Sequence, residues 1–121
     1  MKNEMDGFFE LVEKNMGNCP WVREQSSEKY LEELFSEIEE LRGAYSKGNW
    51  GEVQEELGDL LWDVVTLAYL MERERKIEAR GVVRRVKEKI SHRKPWLLSG
   101  EKVTSEEAVR IWKGRKATEK L

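Results

Sequence analysis

The segment EELGDLLWDVVTLAYLME, residues 55–72, carries three carboxylates on its body, Glu56, Asp59 and Asp63. Drawn as a helix, Glu56, Asp59, Asp63 and Thr66 fall within a stripe about 80° wide. Apolar residues cover the remaining arc: Leu57, Leu60, Leu61, Trp62, Val64, Val65, Leu67 and Ala68. A surface helix normally shows an apolar stripe on a polar background. This inverse pattern predicts an acidic face that requires a partner, because buried charges are costly unless they are paired or metal-bound.

The preceding segment carries a second pair of acids with the same spacing. Glu37 and Glu40 are three residues apart, as are Glu56 and Asp59, so each pair shares one helical face. The short turn KGNWG joins the two segments, so we expect the helices to be antiparallel neighbours. Four carboxylates brought together repel one another unless a cation neutralises them. Ligation by oxygen alone suits Mg²⁺ or Mn²⁺.

A solvated acidic face is the alternative interpretation. The earlier helix also carries Glu32, Glu33 and Glu39, and Glu40 projects away from its apolar stripe. Taken alone, that helix is typical of a water-exposed surface. The acidic stripe of residues 55–72 favours the metal site, and the spacing by itself leaves both interpretations open.

Two bases near residue 90 point to an anion. Lys89 and Arg93 are four residues apart and project roughly within the apolar arc of Val82, Val86 and Ile90. They predict either a phosphate clamp, a structural salt bridge, or side chains whose charged ends reach water. Together with metal-binding carboxylates, a phosphate clamp would suit phosphoryl or pyrophosphoryl chemistry.

Apolar periodicity predicts an all-α, compact bundle of about five helices. The predicted helices span about residues 2–15, 28–46 and 51–73, then a fourth that ends before Pro95 and a fifth that begins at Thr104 or Ser105. Gly17 is expected to end the first helix, residues 18–27 and 96–103 are expected to be loops, and Ser26 or Ser27 is expected to cap the second helix. The predicted inner positions are Leu31, Leu34, Phe35, Ile38 and Leu41 on the second helix, and Val82, Val83, Val86 and Ile90 on the fourth.

Length and composition predict a single domain over residues 1–121. Charged residues make up 38% of the chain but the net charge is −2, so we expect no nucleic acid partner. Cys19 is the only cysteine, which excludes an intrachain disulfide. No signal peptide or membrane-spanning run is expected, and the predicted location is the cytoplasm, with no membrane partner.

Four motifs occur in a recognisable order over about residues 19–116. CPWVREQSS is similar to CPWD-[KR]-EQTH, and LFSEIEEL followed by EELGDLL is similar to EExxE…ExxD. VKEKISHRKPW…G is similar to EKLIRRHPHVFG, and AVRIWKGRK to N-W-x-x-x-K. With these motifs the chain resembles the MazG-type, all-α nucleoside triphosphate pyrophosphohydrolases.

The resemblance implies an enzyme that hydrolyses (deoxy)nucleoside triphosphates to the monophosphate and pyrophosphate, with a role in clearing the nucleotide pool. It implies Mg²⁺, with Mn²⁺ as the alternative, held by Glu37, Glu40, Glu56 and Asp59. Glu37 is the expected proton acceptor, and Lys89 and Arg93 are the expected phosphate-binding bases. Trp21, Arg23 and Trp112 are expected to contact the substrate or to organise its pocket.

Departures from the family pattern qualify these expectations. Ser36 replaces the first Glu of EExxE, so we expect fewer bound metal ions or weaker binding. Val22 replaces the Asp of CPWD, and Lys94, Pro95 and Trp96 replace the HPH triplet, which could alter substrate choice. Asp63 stands where the family often has an amide, and a water-positioning role is one option.

Broad apolar arcs and five tryptophans are hard to cover in 121 residues, so a homodimer or a dimer of dimers is expected. Two alternatives stay open. One is a relative of the dimeric dUTP hydrolases or phosphoribosyl-ATP pyrophosphohydrolases, which share the paired-acid helices. The other is a non-catalytic helical interaction module that binds a basic partner.

Overall fold

The computed structural model describes residues 3–119, and all regular secondary structure in that range is helical. This confirms the all-α prediction, with seven helices in place of about five. The helices are α1 (Glu4–Asn18), α2 (Pro20–Arg23), α3 (Ser27–Ser46), α4 (Trp50–Arg73), α5 (Ala79–Arg93), α6 (Trp96–Ser99) and α7 (Ser105–Thr118). The predicted start of the first helix at residue 2 lies outside the described residues. None of the helices in residues 3–119 is long and apolar enough to cross a membrane.

Two short helices occupy segments that were predicted to be loops. Helices α2 and α6 span four residues each, too few to produce an apolar period. Helix α1 also continues through Gly17, where it was predicted to stop. It ends instead because Cys19 has extended backbone angles, which the following Pro20 favours.

Local capping follows the sequence closely. The Ser26 side chain accepts a hydrogen bond from the backbone N–H of Lys29 at 3.2 Å and caps α3, as predicted. The Thr104 hydroxyl accepts from the backbone N–H of Glu107 at 3.2 Å, and the two residues form a capping box at the start of α7. Between α3 and α4, Gly48 takes the positive φ of 68° that closes the turn.

The chain divides into two compact units, Met1–Ala79 and Arg80–Leu121. In the first unit α3 packs along α4, while α1 contacts α4 and α2. Its buried cluster comprises Val22, Tyr30 and Leu70, with Met16, Cys19 and Leu67 packed against it. The second unit contains most of α5, together with α6 and α7.

The inward face of α3 differs from the prediction. Leu31, Phe35 and Ile38 were predicted to be buried but are 49%, 68% and 45% exposed. The buried side of α3 instead includes Tyr30 and Ala44, which lie fourteen residues apart on one stripe. Apolar periodicity identifies a face that needs covering, but the position of α4 determines which face this chain covers.

Helix α5 shows the same kind of difference. Val82, Val83 and Val86 were predicted to face inward, yet all three are exposed. Ile90 is partly buried. An isolated chain of this length has too few helices to cover every apolar face that its sequence provides.

Candidate functional site

Three carboxylates converge where α3 and α4 pack together. Glu37, Glu56 and Asp59 each offer one oxygen, and these oxygens lie within 4.8 Å of one another. Glu37 lies midway along the α3 stripe of Tyr30 and Ala44, and one helical turn of α4 separates Glu56 from Asp59. Oxygens at about 2.1 Å from an octahedral Mg²⁺ span at most roughly 4.2 Å. The observed spread is close to that span, so small side-chain rotations would suffice to close the cluster around one ion.

The raised pKa values of two of these carboxyl groups show that negative charge is unfavourable in this cluster. Burial raises the pKa of Glu37 to about 7, assisted by the charges of Glu40 and Asp63 and by a hydrogen bond with Glu56. Burial is also the largest cause of the raised pKa of Glu56, followed by the charge of Glu40. Apart from a proton that the two carboxyl groups can share, no donor among residues 3–119 reaches the buried Oε2 atoms of Glu37 and Glu56. Because unpartnered buried carboxylate oxygens are costly, this donor set fits a hard divalent cation.

Glu40, the fourth predicted ligand, lies within hydrogen-bonding reach of Glu56 but outside the group of three. Its side chain is exposed and does not belong to the group of oxygens within 4.8 Å. It is nevertheless close enough for its charge to raise the pKa of both Glu37 and Glu56. The structure therefore brings three of the four predicted ligands together and leaves Glu40 at their margin.

Asp63 extends the acidic stripe and is held by a residue that the motifs did not reveal. The Tyr30 hydroxyl donates a hydrogen bond to Oδ1 of Asp63 at 2.9 Å. Tyr30 is 3% exposed, and burial, followed by the bond to Asp63, raises its pKa so that it remains a donor. One signal could have identified it, because Tyr30 precedes Glu37 by seven residues and so shares its helical face.

The CPWVREQSS segment lies across one end of the first unit. Val22 stands at the position of the family's Asp and is 2% exposed, within the core. The change from Asp to Val at this position therefore affects core packing. Trp21 is 53% exposed, with its ring 6.3 Å from that of Tyr30. The Arg23 guanidinium donates to the carbonyl of Gly17 at 2.9 Å, which ties the segment to the end of α1.

The end of α4 anchors the same segment. Arg73 donates to the carbonyl oxygens of Val22 at 3.2 Å and Gln25 at 2.7 Å. The Glu74 carboxylate accepts from the Ser27 backbone N–H at 2.8 Å and from the Ser27 hydroxyl at 2.6 Å. These bonds lower the pKa of Glu74 to about 2, and Lys76 contributes to the shift. Because Ser27 begins α3, they also hold the helix that carries Glu37.

In the second unit the two predicted bases have different surroundings. Lys89 is exposed, in agreement with the predicted option in which the charged end of the side chain reaches water. Arg93 is 9% exposed and donates from Nε and Nη2 to the carboxylate of Glu119, with Nη2 at 2.7 Å from Oε1. Its guanidinium carbon lies 4.9 Å from the centre of the Trp112 ring. No spacing motif pointed to Glu119, since it lies beyond the last recognisable element.

Trp112 has a second environment besides Arg93. The Lys94 ammonium lies 5.7 Å from the centre of its ring. The indole also lines an open cavity of about 320 Å³ within the second unit, together with Lys94, Trp96, Ala108 and Val109. Trp112 therefore packs against cations and reaches open space, which is compatible with either of its predicted roles.

Residues 3–119 thus form an all-helical structure in which acids from two neighbouring helices converge. The sequence model for the MazG nucleotide pyrophosphohydrolase domain matches residues 25–98, and the chain belongs to this family. The structure is similar to the crystal structure of a mazG-related protein from Thermotoga maritima, with a TM-score of 0.86 and 42% identity. That similarity covers 93% of this chain and 99% of the other.

Curated relatives share the family but are longer. A nucleoside triphosphate pyrophosphohydrolase of Mycolicibacterium smegmatis is 33% identical over 112 residues, which make up 91% of this chain and 35% of that protein. The protein of the same name from Escherichia coli is 23% identical over 122 residues, covering 98% of this chain and 46% of the relative. The chain thus spans between about a third and a half of the length of these relatives.

Proposed function

We propose that this chain hydrolyses nucleoside or deoxynucleoside triphosphates to the monophosphate and pyrophosphate, in a role that clears the nucleotide pool. The observation that carries the proposal is the convergence of Glu37, Glu56 and Asp59, with two of their buried oxygens unpartnered. Solvation alone does not explain such a cluster, since carboxylates at this separation repel one another. Membership of the MazG family supports the choice of substrate.

The proposed cofactor is Mg²⁺, with Mn²⁺ as the alternative. Glu37, Glu56 and Asp59 would hold it, and the exposed Glu40 would complete the set by reorienting. When bound, such a cation polarises phosphate oxygens and lowers the pKa of water. With Ser36 at the position of a family Glu, the chain offers one carboxylate fewer, which favours fewer or weaker metal ions.

The remaining roles fall to side chains of this chain. Glu37 accepts the proton of the water that attacks the α-phosphorus. Lys89 and Arg93 stabilise the negative charge that develops on the phosphates. Trp21, Arg23 and Trp112 contact the nucleotide or shape its pocket.

A homodimer or a dimer of dimers is the proposed assembly, with residues 1–121 acting as one MazG-like domain in the cytoplasm. The exposed apolar side chains of Leu31, Phe35 and Ile38 support self-association, because a surface of this kind is usually covered by a partner. A second copy of the chain would supply a matching surface.

The first test is incubation of the protein with Mg²⁺ and a panel of ribo- and deoxyribonucleoside triphosphates. We expect monophosphate and pyrophosphate, with the activity abolished by EDTA. Release of orthophosphate would mean that a different phosphorus is attacked. Turnover restricted to dUTP or phosphoribosyl-ATP would favour those relatives. Absence of both turnover and a nucleotide-dependent thermal shift would favour the helical interaction module.

A further inference from the structure

The Arg93 guanidinium is held on one edge by a carboxylate and lies beside an aromatic ring. Its Nε donates to the Glu119 carboxylate at 3.1 and 3.3 Å, and its Nη2 donates to the same carboxylate at 2.7 Å. The guanidinium carbon lies over the Trp112 ring, 4.9 Å from the ring centre. Two-point pairing with a carboxylate restricts the position and the plane of a guanidinium, and the attraction between a cation and an aromatic ring adds to its restraint.

This arrangement leaves part of the guanidinium available. A guanidinium has five N–H donors in a planar fork, and the Glu119 carboxylate engages the edge formed by Nε and Nη2. Within residues 3–119, Nη1 of Arg93 has no recorded hydrogen bond, and it is not among the buried polar atoms that lack a partner. The edge formed by Nη1 and Nη2 is therefore not fully enclosed, although Arg93 as a whole is only 9% exposed. This edge has the geometry that binds a phosphate group through two oxygens.

Glu119 is itself held on a second side. The ring nitrogen Nδ1 of His92 lies 2.8 Å from Oε2 of Glu119. The carboxylate is thus held by His92 and Arg93, which are consecutive residues of α5. Arg93 and Glu119 are 26 residues apart in the sequence. Because the Glu119 carboxylate is held by two residues, it is less free to move away from Arg93 when a substrate binds. It is therefore suited to orienting the Arg93 guanidinium.

We infer that Glu119 is a positioning residue that holds the guanidinium of Arg93, beside Trp112, so that the edge formed by Nη1 and Nη2 can bind a phosphate or pyrophosphate group. The inference rests on the proposed function for the role of Arg93. Glu119 lies outside all four motifs and is thereby added to the residues that contribute to phosphate binding. Trp112 is assigned a part in orienting Arg93. Pre-orientation of this kind improves anion binding because less side-chain freedom is lost when the ligand arrives.

The first experiment tests immobilisation of Arg93 without any turnover. In ¹⁵N-labelled protein, the hydrogen-bonded Nε–H of Arg93 should give a slowly exchanging resonance, assigned by its disappearance in Arg93→Lys. We expect Glu119→Gln to accelerate its exchange, whereas the matched control Glu101→Gln, an exposed loop residue, should leave it unchanged. An equally protected resonance in Glu119→Gln would overturn the inference.

The second experiment measures binding of pyrophosphate in the presence of Mg²⁺ by calorimetry. We expect Glu119→Gln to weaken binding about five- to tenfold, Glu101→Gln to have no effect, and Glu119→Gln to add nothing in an Arg93→Lys background. Tighter binding would mean that Glu119 competes with phosphate, and unchanged binding with a lower melting temperature would mean a purely structural tie. Either result would overturn the inference, as would a wild-type protein that does not bind pyrophosphate.

Failure of the proposed function gives a different pattern. A wild-type protein that binds pyrophosphate but hydrolyses no nucleotide would overturn the proposed reaction and leave the role of Glu119 in anion binding supported. If hydrolysis is observed, KM for the nucleotide should rise in Glu119→Gln by a factor similar to the loss of pyrophosphate affinity. A fall in KM would overturn the inference.

Discussion

Replacing Glu37 by Gln should stabilise the metal-free protein. Two unit charges 4.8 Å apart repel each other by about 3.5 kcal/mol at an effective dielectric constant of 20 and by about 1 kcal/mol in water. Because the Glu37 side chain is partly exposed, we expect the lower part of this range, a gain of about 1–2 kcal/mol. For a chain of this size that corresponds to a rise in Tm of about 4 to 8 °C.

The pH dependence has a defined sign. The pKa of Glu37 is raised from 4.5 to about 7, so the folded wild-type protein binds this proton more tightly than the unfolded chain does. Wild-type stability is therefore lost as pH rises through this window, and the full penalty is present above about pH 7. Glu37→Gln should melt at nearly the same temperature as the wild type in acid, and the difference should grow toward pH 8.5.

Thermal melts in EDTA at pH 5 and pH 8.5 provide the assay, followed by melts in excess Mg²⁺ or Mn²⁺. Glu39→Gln is the matched control, because it removes the same charge from an exposed position of α3. A saturating divalent ion should raise the Tm of the wild type and of Glu39→Gln, and should raise that of Glu37→Gln less. The reasoning is refuted if Glu37→Gln melts no higher than Glu39→Gln in EDTA at pH 8.5.

Three further predictions concern the surrounding residues. Glu56→Gln or Asp59→Asn should abolish Mg²⁺-dependent turnover while the helical circular dichroism persists, and retained activity in both would contradict the assigned metal site. Glu74→Gln should lower Tm at pH 7. The difference in Tm from the wild type should shrink as pH falls from 4.5 toward about 2, because the wild-type bonds to Ser27 are lost as Glu74 is protonated. A difference in Tm that does not change with pH would contradict this. Tyr30→Phe should reduce the free energy of unfolding in urea by about 1–2 kcal/mol, since it removes the donor to Asp63, and no change would contradict that role.

Several elements were predictable because their causes are local. Helix caps depend on residues three positions apart, so the sequence predicted Ser26 or Ser27 as the cap of α3 and a start of α7 at Thr104 or Ser105, and the structure has Ser26 and Thr104 as the caps. The spacing of Glu56 and Asp59 likewise placed both on one face of α4. The single-turn helices α2 and α6 were missed because four residues are too few to show a helical period.

The amino-acid sequence by itself determined that the protein is helical, where its long helices lie and which acids could meet, since these depend on neighbours within a few residues. Only the tertiary structure decided that α3 turns Glu37 toward Glu56 and leaves Glu40 at the margin. It also decided that Tyr30 contacts Asp63, 33 residues away. The pairing of Arg93 with Glu119, which belongs to no recognised motif, likewise came only from the tertiary structure. The physical reason is that contacts between distant segments depend on which faces pack together, and helical periodicity contains no information about the partner of each face.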